Sequence, residues 1–183
     1  MIELMVVIAI VAILTTIAAP SFKSMLQSSS MTNAVNSFLA DMRYARSESI
    51  RRGGGVTMCR SSNPDAAVPT CGSGSTVGWE SGWIVFHNTN SVSTRSSDEP
   101  LLRVQAPLTS INTIAETGAA TIFKFTATGR LTSGALTHLT FGSPPVYATD
   151  AQRIICVNVG GRARIAIDSA GQANGLASCG ADQ

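Results

Sequence analysis

With 183 residues, 13 basic and 11 acidic side chains and a formal net charge of +2, the chain has room for one compact domain plus one extended element. So small a net charge excludes whole-molecule attraction to nucleic acid or anionic lipid, and any such attraction must be local. Aromatic residues at 5% and charged residues at 13%, with Gly, Ser, Thr and Ala abundant, fit a strand-rich secreted head with many loops and not a cytosolic α/β enzyme.

Residues 4–19 hold no charged side chain, and only Thr15 and Thr16 interrupt their aliphatic character. As helix they rise about 24 Å, slightly short of a hydrocarbon core, so spanning a bilayer requires Met1 and Ile2 or residues upstream of them. A cleaved secretory signal ending at Ala18-Ala19-Pro20 is the rival reading, but such signals open with positive charge and this segment opens with Glu3. A carboxylate beside an apolar span costs about 2.5 to 3.5 kcal/mol at mid-membrane. Glu3 therefore calls for a cationic partner, or for a headgroup position where it stabilises a helix N-terminus.

Pro20 lacks a backbone donor and marks a place for the helix to kink or open. Residues 27–33 are polar. Val35, Phe38, Leu39, Met42 and Ala45 then recur at three- and four-residue steps, with Asp41, Arg43, Glu48 and Arg51 largely off that stripe. Arg51 and Arg52 suit the negative end of a helix dipole, and Gly53-Gly54-Gly55 ends the helix. The result is one helix of about 50 residues, about 75 Å long. Its first half, residues 1–26, is apolar enough for lipid or a filament core. Residues 27–183 form the head: the amphipathic half-helix 27–52 and a β-rich part, 53–183.

The run Ile2-Glu3-Leu4-Met5-Val6-Val7-Ile8-Ala9-Ile10-Val11-Ala12-Ile13-Leu14 resembles the N-terminal signature of type IV pilins and type II secretion pseudopilins. The resemblance implies a subunit held in the bacterial inner membrane with its head in the periplasm, then moved into a pilus or pseudopilus beside other pilins. It assigns Glu3 to filament assembly, neutralising the N-terminal amine of a neighbouring subunit, and makes Pro20 the helix breaker. Family members carry a short basic leader ending in Gly, then usually Phe. This chain opens just short of Glu3, so the expectation is a natural N-terminus upstream of Met1, cut by prepilin peptidase.

Beyond the helix, β-like runs at residues 56–59, 82–87, 101–105, 121–126, 137–141, 153–159 and 162–168 alternate with turn-rich stretches, and antiparallel sheet is the economical reading. Residues 61–78 and 88–100, rich in Ser, Pro, Gly, Asn and Thr, read as exposed loops. The class is therefore α+β. Four cysteines permit three pairings. Cys59 with Cys71 and Cys156 with Cys179 close the shortest loops, at about 3 kcal/mol of chain-entropy stabilisation each. Zinc is disfavoured, since no C-x-x-C occurs. Trp79, Trp83, Phe123 and Phe125 read as core, the last two facing the helix stripe.

His87 and His138 belong to no recognisable metal or nucleophile motif, and no phosphate loop, dinucleotide fingerprint or calcium loop is present. The expectation is no enzyme and no cofactor. Gly160-Gly161-Arg162-Ala163-Arg164 carries a hairpin signal followed by two arginines one residue apart, which a strand points the same way. With a two-residue turn, Val159 pairs with Arg162, Val157 with Arg164, and Arg153 with Asp168; Ala163, Ile165 and Ile167 then face the core. Read without a family, these arginines are better explained by a solvated strand face or by protection against edge pairing.

Cys59, Cys71, Trp79, residues 82–86, Phe125 and Gly129-Arg130 resemble the FimT/GspH subgroup of minor pilins and pseudopilins. Gly161-Arg162-Ala163-Arg164 looks like the Gly-Arg-x-Arg motif of FimT-type minor pilins, which bind double-stranded DNA during natural transformation. The resemblance carries that role to Arg162 and Arg164 beside Gly161, with Lys124, Arg130 and Arg153 as accessory cations. A purely structural minor pilin that primes pilus assembly, or a GspH-like pseudopilin of a type II secretion system, is the competing expectation.

Overall fold

The computed structural model describes residues 2–74, 77–117, 121–132, 137–147, 151–166 and 179, with backbone alone for 16–21. Helix α1 (Ile2–Arg52) is continuous, and its helical assignment passes through Pro20. Among the described residues, no helix is long and apolar enough to cross a membrane. Residues 2–15 are exposed throughout. Gln27 reaches the head: its side-chain amide donates to the Val146 carbonyl at 3.3 Å. From there Met31, Ala34, Val35, Phe38, Leu39, Met42 and Ala45 are buried, the expected stripe begun one turn earlier.

Glycines end the helix for a stated reason. Gly53 takes φ +77°, and the amides of Gly53 and Gly54 turn back to the carbonyls of Ile50 (3.4 Å) and Ser49 (2.8 Å), satisfying acceptors the last turn leaves open.

Among the described residues eight antiparallel strands follow: β1 (Val56–Arg60), β2 (Trp83–His87), β3 (Leu101–Gln105), β4 (Ile114–Glu116), β5 (Ile122–Phe125), β6 (Thr137–Phe141), β7 (Arg153–Val157) and β8 (Ala163–Ile165). They form two four-stranded sheets, β3-β2-β1-β5 and β4-β6-β7-β8, where the sequence suggested one. The division has a local cause. After β5 the chain folds back along that strand, and the amide of Thr132 donates to the Lys124 carbonyl at 2.9 Å, occupying the edge that a further strand would need. Strand β4 has three residues, too short for its alternation to stand out in the sequence.

Phe38 sits between the sheets. Its ring meets Trp83 at 5.2 Å and Phe123 at 6.4 Å from the first sheet, Phe141 at 5.7 Å from the second, and Trp79 at 5.3 Å, all edge to face. Both tryptophans are fully buried core. The bridges Cys59–Cys71 and Cys156–Cys179 form as the loop lengths suggest.

Two acids placed off the apolar stripe are in fact buried. Asp41 accepts from Trp83 Nε1 at 2.9 Å and Arg103 Nη1 at 3.0 Å, while the Arg103 guanidinium lies 4.2 Å from the Tyr44 ring centroid. Glu48 accepts from Arg51 Nε at 2.8 Å and also from Arg52 Nε. Hydrogen bonds from Arg51 first, then Arg52, hold its carboxyl at about 2 against an ordinary 4.5.

Phe38→Ala removes the ring that both sheets share and should cost about 3 to 5 kcal/mol, read as a lower urea midpoint for loss of buried-tryptophan fluorescence. The depressed Glu48 pKa means stability is present above pH 4.5 and lost as the pH falls towards about 2. Glu48→Gln should flatten that part of the stability profile, measured by denaturant titration across acidic pH.

Candidate nucleic-acid interface

The β7–β8 connection decides where the arginines go. Ile155 pairs with Ile165, Cys156 with Arg164 and Val157 with Ala163, one residue out of step with the register expected from a two-residue Gly-Gly turn. The turn has three residues. The Gly161 amide donates to the Asn158 carbonyl at 2.9 Å, the Asn158 amide to the Arg162 carbonyl at 3.1 Å, and the Asn158 side-chain oxygen accepts from the Arg162 amide at 3.1 Å. Gly161 takes φ +71°, the left-handed residue that commonly completes such a loop.

Arg164 thus lies opposite Cys156, whose small cluster with Ile154, Ala166 and Cys179 is distinct from the main core holding Ile155 and Val157. Arg162 and Arg164 are exposed as expected, and neither guanidinium has a hydrogen-bond or ion-pair partner among the described residues. Ile165, expected in the core, is 41% exposed on its short strand, while Ala163 packs against the core. The expected Arg153–Asp168 pair and the core position of Ile167 lie outside the described residues.

Gly161 is buried and serves as a spacer. A Cβ there would stand 2.1 Å from the Gly129 carbonyl oxygen and 3.2 Å from the Phe125 ring. The same carbonyl accepts from Arg46 Nε of α1 at 3.1 Å, and the Leu131 amide donates to the Val159 carbonyl at 3.0 Å. Helix, β5 hairpin and β7–β8 turn therefore meet at one point.

That junction draws Arg130 alongside the turn, where its side chain is exposed and without a partner among the described residues. It leaves two accessory cations elsewhere. Lys124 Nζ donates to the Ser91 carbonyl and Ser93 Oγ, both at 3.2 Å, against the loop of the first sheet. Arg153 opens β7 at the end away from the turn, about 16 Å along the strand from Asn158, and donates to the Gln152 carbonyl at 2.9 Å. What residue-by-residue reading missed is Arg46. Arg43 and Arg46 line a cleft of about 310 Å³ with Ser47, Ile50, Gly161, Arg162 and Ala163. The signal was a second helical stripe, 43, 46, 47 and 50, beside the apolar one. As for the histidines, His138 Nε2 lies 2.8 Å from Thr117 Oγ1 and His87 packs beside Gly55.

Residues 34–161 match the family described as type II transport protein GspH. The chain belongs to this family. Two crystal structures of the type IV minor pilin FimU from Pseudomonas aeruginosa strain PAO1 resemble it at 19% sequence identity. One, in space group P21, gives a TM-score of 0.55 over 75% of this chain and 88% of FimU; the other, in P65, gives 0.53 over 74% and 92%. At that identity the likeness shows the fold, which is pilin-like. No curated protein matches the chain. The GspH match ends at Gly161, so Arg162 and Arg164 lie just past it.

Gly161→Ala adds strain at a positive φ and a clash with backbone. It should cost at least about 1 to 3 kcal/mol, measured by thermal unfolding.

Proposed function

We propose that this GspH-family chain is a FimT-type minor pilin: it joins a type IV pilus and binds extracellular double-stranded DNA through Arg162 and Arg164 for natural transformation. The observation that carries the reading is the pair of exposed guanidinium groups, unpartnered among the described residues, on a hairpin whose turn is fixed by Gly161. Planar guanidinium forks grip phosphate oxygens without reading base edges, giving sequence-tolerant, salt-sensitive attachment. Several copies in a fibre, or a tip complex, strengthen such contacts through multivalency.

In this reading the exposed apolar half of α1 sits in the inner membrane after prepilin peptidase has acted, with the head in the periplasm. It then enters the filament, where Glu3 faces the terminal amine of a neighbouring subunit and Pro20 lets the helix adjust. A structural minor pilin, or a GspH-like pseudopilin of a type II secretion system, is favoured by one observation: the family match stops before the arginines.

The double variant Arg162→Gln/Arg164→Gln, compared with the unaltered chain in non-ionic detergent, separates the two. Loss of the electrophoretic shift of duplex DNA is expected. Equal binding by both proteins removes the arginine pair from the function, and no binding by either favours the structural subunit.

A further inference from the structure

Arg43, Arg46, Ser47 and Ile50 lie at i, i+3, i+4 and i+7 of α1, so one helix face carries both cations. That face makes one wall of the 310 Å³ cleft, and Gly161, Arg162 and Ala163 make the other. Three guanidinium groups thus border one space, and none of the described residues bordering it is acidic. The neighbouring helix acids are committed elsewhere: Glu48 to Arg51 and Arg52, Asp41 to Trp83 and Arg103. Like charges one helical turn apart repel, so the arrangement is mildly unfavourable until an anion enters.

Part of the site is already organised. Arg46 is held by its Nε bond to the Gly129 carbonyl, while no partner is seen for its two terminal nitrogens among the described residues. Arg43 is exposed and has no hydrogen-bond or ion-pair partner there either. Among the described residues lining the cleft there is no aromatic side chain to stack a base on, and the charged donors there suit phosphate oxygens.

We propose that this cleft seats a backbone phosphate of double-stranded DNA, with Arg43 and Arg46 of α1 as contacts beside Arg162. The inference rests on the DNA-binding reading above and extends the interface from the hairpin onto the helix. Arg43 supplies an exposed cation, and Arg46 one held beside the Gly129 carbonyl.

Fluorescence anisotropy of a short labelled duplex, titrated with the full chain in non-ionic detergent over a salt series, tests it. Arg43→Gln should weaken binding about threefold to tenfold at low salt and reduce the slope of log affinity against log salt by about one. Arg43→Lys should restore the slope, which a merely structural role would not predict. Unaltered affinity and slope in Arg43→Gln, alongside loss of binding in Arg162→Gln/Arg164→Gln, overturn the cleft and leave the hairpin reading standing. Absence of binding by the unaltered chain sinks both. Normal DNA binding by Arg43→Gln with impaired co-assembly overturns the proposal in favour of an acidic face on a neighbouring subunit.

Discussion

Everything in the head is organised around one aromatic ring on one helix. Phe38 touches Trp83 and Phe123 from the first sheet and Phe141 from the second, so the relative position of the sheets is set through α1. Edge-on contacts of this kind have a preferred geometry as well as a large buried area, which makes the centre of the core directional. The helix register that buries Phe38 also fixes which side chains of the next turns face the second sheet. The cationic cleft is therefore a by-product of how the core packs.

Charge is arranged with the same economy. Asp41 and Glu48 face inward and are consumed by hydrogen bonds from Trp83, Arg103, Arg51 and Arg52. Buried carboxylates need such partners, because desolvation without compensation is expensive. Their withdrawal leaves the helix face at Arg43 and Arg46 without a facing acid among the described residues of the cleft. A chain with a formal charge of only +2 thus presents a local positive surface by placing its acids, not by adding bases.

Much of this was legible in the sequence. The long helix, the stripe through Phe38, the glycine stop, seven of the strands and both disulfide pairings follow from periodicity, turn chemistry and loop length. What escaped was whatever depends on tertiary context. Asp41 and Glu48 look like surface residues until Trp83 and the neighbouring arginines supply donors. Strand β4 is too short to show a period, and the second sheet appears only because the chain after β5 covers that strand's edge. Two consecutive glycines read as a two-residue turn, but the Asn158 side chain and carbonyl organise a loop of three. For the interface, the Leu131–Val159 hydrogen bond brings the Arg130 segment beside the turn, whereas Lys124 and Arg153 are drawn away by their own strands. Arg46 was passed over because its significance lies in a carbonyl 83 positions further along the chain.

The length of that loop works as a phase setting. Side chains on a strand alternate with period two, so a slip of β8 by one residue against β7 would move each of its side chains to the other face. Arg164 would then oppose a core position such as Val157, and a lone guanidinium would be driven towards a medium that cannot solvate it. A slip with no change in charge would in this way convert an exterior cation into an interior liability, and the chain would sooner give up the strand than complete the pairing.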